Sequence, residues 1–156
     1  WRVYNLCSFK ILVEKVNLME EIFNLLDNYR LDYRTITHKE NFEGQVLSLL
    51  QNLKTVNPLK FKNTTIKRSS KEPIILIIGK EQTVAVYVFF FEKKKTISVP
   101  TLKGRFLQNA TDYKYKYSKD LIAYIYDPIG KLDTQTKEIY GKEYKLIYKK
   151  EFDFKD

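Results

Sequence analysis

The stretch EPIILIIGKEQTVAVYVFFFEKK, residues 72–94, decides the fold. Pro73 to Ile78 is a short continuous apolar run, and Val84 to Phe91 is a longer run of β-branched and aromatic residues, so both are predicted strands. Gly79-Lys80-Glu81-Gln82 is the turn between them. Strands without polar alternation are generally buried on both faces, so these two are predicted to be central, with helices covering both sides of the sheet.

Two amphipathic helices precede this hairpin. In the first, from about Lys10 to Tyr29, apolar residues recur at steps of four and three; they are Leu12, Val16, Met19, Phe23 and Leu26. The second begins near Thr37-His38-Lys39-Glu40, which has capping-box spacing. Its apolar face is formed by Phe42, Val46, Leu49, Leu50 and Leu53.

The remaining elements complete the predicted fold. An edge strand is predicted within Phe61–Ser69, and further strands at Leu121–Tyr126 and about Tyr144–Phe152. After Pro100 the chain fits either a helix with Leu102, Phe106 and Ala110 facing inward, or a strand over the alternating Tyr113–Tyr117. The sequence therefore predicts one α+β (or α/β) domain over residues 1–156. Its N-terminal helix is at about 10–29 and its core at about 37–154, with a central mixed sheet of about four to six strands flanked by two or three helices.

Cysteine, histidine and glycine usage excludes several chemistries. Cys7 is the only cysteine, so no intrachain disulfide can form, and with the single His38 it cannot make a zinc site. The longest apolar run is far shorter than the roughly 20 residues of a membrane helix. The chain is predicted to be intracellular, in the cytoplasm, or in an organelle if a targeting segment is missing. No cofactor is predicted unless the protein is a nuclease.

Charge is unevenly distributed along the chain. The net charge is +9, yet residues 1–50 carry six Lys/Arg and seven Asp/Glu, a net of −1, so the remainder carries +10. A basic segment of this kind indicates a polyanionic partner, with nucleic acid the commonest, ahead of an anionic membrane surface or an acidic protein. The alternative is a lysine-rich surface that serves solubility alone.

Lysines and tyrosines alternate in the C-terminal half. Eight of the twelve tyrosines lie between Tyr113 and Tyr148, mixed with lysines. Lysines neutralise phosphates and exposed tyrosine rings stack on unpaired bases, a chemistry that suits RNA as well as DNA. The candidate nucleic-acid-binding residues are Lys60, Lys62, Lys67, Arg68, Lys71, Lys93, Lys103, Arg105, Lys114, Lys116, Tyr113 and Tyr115. The alternative, which needs no nucleic acid, is a tyrosine-rich sheet with lysines on its solvent-exposed face.

The order of elements over residues 40–127 resembles the αβββαβ core of the PD-(D/E)XK nucleases, and Ile66 to Lys94 is most similar to archaeal-type Holliday-junction resolvases. In that family an acid opens the second core strand and a Glu-x-Lys ends the third. The resemblance implies that Glu72 and Glu92 bind Mg²⁺ or Mn²⁺, that Lys94 assists the chemistry, and that Glu43 matches the helix glutamate of many members. The sequence departs from the family at Ile74, where an aspartate is usual.

Three hypotheses follow from these patterns. The leading one is a non-catalytic, basic protein that binds RNA or DNA, with other proteins of a ribonucleoprotein assembly as further partners. The second is a metal-dependent nuclease or an inactive relative of one. The third is a structural or interaction protein that docks a partner through its N-terminal helix.

Overall fold

The computed structural model describes residues 18–90, 99–118, 120–127 and 145–149. Over these ranges it is an α+β structure, a mixed five-stranded sheet packed with three helices, which confirms the predicted fold class. The elements in chain order are α1 (residues 18–28), a 3₁₀ turn (Tyr33–Thr35), α2 (Lys39–Val56), β1 (Thr65–Arg68), β2 (Ile74–Ile78), β3 (Thr83–Phe90), α3 (Val99–Lys116), β4 (Asp120–Tyr126) and β5 (Lys145–Lys149).

The strands lie side by side in the order β1-β2-β3-β4-β5. The first three pair antiparallel, with Ile75 opposite Arg68 on one side and Val86 on the other. β4 is parallel to β3, and β5 is parallel to β4. Parallel neighbours need a long crossover, which α3 supplies between β3 and β4. As predicted, β2 and β3 lie inside the sheet and β1 is the outermost described strand on its side.

The β2–β3 turn requires glycine at its first position. The Gly79 N–H donates to the Gln82 carbonyl at 2.8 Å, which closes the turn at the predicted residues. A Cβ on Gly79 would lie 2.9 Å from that carbonyl oxygen and 3.1 Å from Leu18 Cδ2. Glycine therefore allows the hairpin to close and α1 to pack beside it.

Side chains on the two faces of the sheet form two separate cores. On one face Val84, Val86 and Val88 of β3 pack with α1 and α2, whose buried contributions include Ile22 and Phe42. On the opposite face the core joins the sheet to α3; its members are Ile74, Ala85, Tyr87, Phe106, Ala110, Leu121, Ala123, Ile125 and Leu146. This two-sided burial explains why β2 and β3 are apolar at consecutive positions.

The strand alternative for Tyr113–Tyr117 is wrong, because α3 continues to Lys116 and the Tyr117 N–H still donates to the Tyr113 carbonyl at 2.9 Å. Tyr113 and Tyr117 are four residues apart and therefore share a helix face as well as a strand face. That face meets the aromatic residues of β3, with the Tyr113 and Tyr87 ring centroids 4.9 Å apart. Phe106 and Ala110 face inward as the helix hypothesis predicts.

The start of α2 also differs from the predicted capping box. His38 is the N-cap, and the side chain that reaches back is Asn41, whose Oδ1 accepts from the His38 N–H at 3.3 Å and from the Thr37 hydroxyl at 2.8 Å. The predicted Thr37–Glu40 pairing is therefore displaced by one residue. The buried face of α2 includes Phe42, as predicted.

Where the predicted range is described in full, β1 is shorter than predicted and β4 begins one residue earlier. β1 covers only Thr65–Arg68 because 58–63 form turns, and β5 is described over Lys145–Lys149. In α1 the fully buried side chains are Ile22 and Leu26, with the predicted Met19 and Phe23 only partly buried. Residues 10–17 of the predicted helix lie outside the described residues. No helix in the described ranges combines the length and hydropathy needed to cross a membrane.

Candidate nucleic-acid interface

The structure brings together two of the predicted basic segments. One is Lys67–Lys71, at the end of β1 and in the connection to β2, and the other is Lys114–Tyr117, at the end of α3. They are joined by the Lys116 Nζ to Glu72 Oε1 ion pair at 2.8 Å and by a 3.4 Å contact between the Ser69 and Tyr117 hydroxyls. We refer to these two segments, with Glu72 between them, as the basic junction.

Lys116 is fixed in place at the basic junction. Besides its ion pair with Glu72, its Nζ lies 5.2 Å from the centroid of the Tyr117 ring. The hydrogen bond from Lys116 is the main cause that lowers the pKa of Glu72, assisted by Tyr117, and the same bond raises the pKa of Lys116. Burial is the main cause that raises the pKa of the neighbouring Tyr113. Glu72 and Lys116 therefore both remain charged around neutral pH, and together they attach the end of α3 to the β1–β2 connection.

Arg68 is held from the other face of the sheet. Its Nη2 donates to Glu43 Oε2, and Glu43, on α2, is only 4% exposed. A buried carboxylate needs such a partner, because leaving it uncompensated in the protein interior is strongly unfavourable. The ion pair therefore ties α2 to β1, and it gives Arg68 a structural task at the edge of the basic junction.

The other predicted cations lie elsewhere. Lys60 forms an ion pair with Glu21, and it lines with Lys62 a cleft of about 770 Å³ beside the β2–β3 turn. Lys103 and Arg105 are on the first half of α3, where Arg105 is exposed. Lys93 lies outside the described residues. The predicted set therefore divides among three places. The basic junction holds the largest group, which is Lys67, Arg68, Lys71, Lys114, Tyr115 and Lys116, and Tyr113 is next to it.

The residues that the nuclease resemblance implies are only partly described. Glu43 and Glu72 bind basic partners on opposite faces of the sheet, Arg68 beneath α2 and Lys116 on α3. Ile74 is fully buried in the core under α3. Glu92 and Lys94 lie outside the described residues. Within the described ranges, no three His, Cys, Asp or Glu side chains are grouped to hold a metal ion.

One buried carboxylate was not singled out in the sequence. Asp127 follows β4 and is fully buried, its Oδ2 accepts a hydrogen bond from the Tyr148 hydroxyl, and its N–H donates to the Lys149 carbonyl at 2.8 Å. In the sequence, Asp127 only marks the end of the predicted strand Leu121–Tyr126. The position itself is a signal, since the carboxyl ends of parallel strands are where sheets of this kind place ligand-binding groups.

No protein-family model matches the chain, and no curated protein or solved structure is significantly similar to it.

Proposed function

We propose that the protein binds nucleic acid through the basic junction, as a non-catalytic protein or as one component of a larger ribonucleoprotein assembly. The observation that carries the proposal is the joining of a basic segment, Lys67–Lys71, to a segment with both lysines and tyrosines, Lys114–Tyr117, which lies more than 40 residues later in the chain. The two meet through Glu72–Lys116 and Ser69–Tyr117. Such a surface offers cations to phosphates and an aromatic ring to bases.

The lysines that face solvent there are the ones we expect to contact phosphates. Lys67 and Lys71 are exposed, whereas Arg68 and Lys116 are neutralised by Glu43 and Glu72. Lys67 pairs across the strands with Leu76, which packs into the core under α3, so Lys67 points to the same face as α3. The phosphate-binding surface therefore extends from the β1 edge toward the end of that helix.

Replacing Lys67 and Lys71 together with alanine is expected to weaken binding to a short fluorescent oligonucleotide and to flatten its dependence on salt. Each lost phosphate contact removes about one unit from the slope of log affinity against log salt, so we expect a decrease of about two. Fluorescence anisotropy between about 50 and 200 mM salt measures both quantities.

The matched control replaces Lys54 and Lys80, which are both exposed, with alanine. It removes the same charge as the Lys67/Lys71 variant, but away from the basic junction. We expect this control to change the slope by less than the Lys67/Lys71 variant. Equal slopes for the two variants would place binding elsewhere, and undetectable or salt-insensitive binding by the unaltered protein would refute the proposal itself.

The second candidate is a metal-dependent nuclease of the PD-(D/E)XK type, or an inactive relative. It is favoured by the element order α2-β1-β2-β3-α3-β4, which is the αβββαβ order, with an antiparallel meander followed by a parallel fourth strand. The buried Ile74 and the divergent partners of Glu43 and Glu72 favour an inactive relative over an enzyme.

Incubation with Mg²⁺ or Mn²⁺ distinguishes an active nuclease from a non-catalytic protein. We expect branched and linear DNA to remain intact, since a carboxylate is missing from the position that usually completes the metal site. Cleavage by the unaltered protein that Glu92→Ala abolishes would instead establish the nuclease. Equal cleavage by the unaltered protein and the Glu92→Ala variant would refute the assignment of Glu92 to the active site.

A further inference from the structure

Tyr115 is the one aromatic side chain that is exposed among those the structure describes. It is 86% exposed, whereas its neighbours Tyr113 and Tyr117 are half-buried against the sheet. An aromatic ring left in water has not been used for the core of its own fold. Its surroundings therefore indicate what it contacts.

Those surroundings are a lysine on one side, the Lys116–Glu72 ion pair on the other, and polar groups on a third. Successive residues of a helix are about 100° apart, so Lys114 and Lys116 flank the Tyr115 ring to either side. Lys116 is held by Glu72 and Tyr117, which attaches the end of α3 to the β1–β2 connection. One turn earlier Asp112 accepts a hydrogen bond from Gln108 at 3.0 Å, so a negative group marks the N-terminal side of the ring.

These neighbours favour a nucleic acid over a protein as the partner of Tyr115. Protein-binding surfaces present contiguous apolar patches, and Thr111 and Asp112 beside the ring are polar. A phosphate chain that passes over the last turn of α3 meets Lys114, and the Asp112 carboxylate lies one turn before Lys116, toward the start of the helix. A base from that chain then reaches the open face of the ring.

We infer that Tyr115 stacks on an unpaired base, so that the ligand of the basic junction is a single-stranded nucleic acid. The inference rests on the proposed function and makes it more specific. In a duplex every base is already stacked on its neighbours and paired, so a ring on a convex helix end gains no base contact unless a base is extruded at a cost. A single strand offers its bases without that cost.

Binding is compared on a short fluorescent oligothymidylate and on the duplex of the same sequence. Tyr115→Ala is expected to weaken binding to the single strand by roughly 5- to 150-fold, the usual loss of one stacked base. Binding to the duplex should change by less than about twofold, because phosphate contacts alone support it. Tyr115→Phe keeps the ring and is expected to retain the affinity of the unaltered protein.

Leu107→Ala is the matched control, since Leu107 is an exposed apolar side chain on the same helix, 40% exposed. It should leave binding to both ligands unchanged. If neither ligand binds the unaltered protein, the proposed function fails. If both bind and Tyr115→Ala weakens neither, or weakens both equally, the stacking inference fails while the proposed function stands.

Discussion

Replacing Phe42 with alanine is expected to lower the free energy of unfolding by about 4 kcal/mol. Phe42, on α2, is fully buried, and its ring centroid lies 5.5 Å from both Tyr124 and Tyr126 and 6.1 Å from Phe90. The substitution removes the buried ring and leaves a cavity among three other aromatic side chains. Because rigid rings cannot collapse into that space, the cost should include the cavity that the substitution leaves.

Urea unfolding followed by circular dichroism measures this loss. Phe42→Leu serves as the graded control, since it retains most of the buried volume and should cost less than half as much. Leu107→Ala, on the exposed side of α3, should stay within about 0.5 kcal/mol of the unaltered protein. If Phe42→Ala were no more destabilising than Leu107→Ala, α2 would not be packed on the sheet through Phe42.

The second large effect is expected at Arg68. Arg68→Ala removes the partner of the buried Glu43 carboxylate and should destabilise the fold by about 2 kcal/mol, less than for a fully buried pair because the Arg68 side chain is 46% exposed. Glu43→Gln keeps the shape of that side chain without its charge. In the Glu43→Gln background, replacing Arg68 should therefore cost much less, because no buried charge is then left uncompensated.

The double-mutant cycle also separates the two roles of Arg68. A role in nucleic-acid binding alone predicts weaker binding by Arg68→Ala with little change in unfolding free energy. A structural role in the ion pair predicts a large loss of unfolding free energy and little change in binding. It also predicts a coupling energy between the two positions of about 1 to 3 kcal/mol. A coupling energy near zero would show that Glu43 and Arg68 do not depend on each other.

Strands β2 and β3 and the turn between them could be predicted because burial on both faces leaves an unmistakable apolar run. The path of α3 was harder to predict, since Tyr113 and Tyr117 fit both a strand face and a helix face, and only the aromatic residues of β3 decide between them. The capping of α2 depends on whether Glu40 or Asn41 reaches back, which is decided by local geometry. The spacing of apolar residues predicts which side of a helix or strand is buried, but only tertiary packing decides which element that side contacts.

The sequence predicts which residues contribute to the candidate site, but it does not predict that they lie together. The sequence indicates basic segments near Lys67 and near Lys116, but only the crossing of α3 over the sheet brings them together at Glu72. The importance of Glu43 as the partner of Arg68 has no signature in the sequence, because α2 and β1 meet only in three dimensions. The exposure of Tyr115 follows from its position opposite the apolar face of α3, which becomes visible once the helix is established.

The five described strands lie in space in the order in which they occur along the chain. Each later strand therefore pairs with the exposed edge of the strand before it, and none of the five must insert between two strands that are already paired. The short loops between β1 and β2 and between β2 and β3 also have a small closure entropy. As residues leave the ribosome, this arrangement lets the structure grow vectorially from its amino-terminal side, without waiting for the last segment to be synthesised.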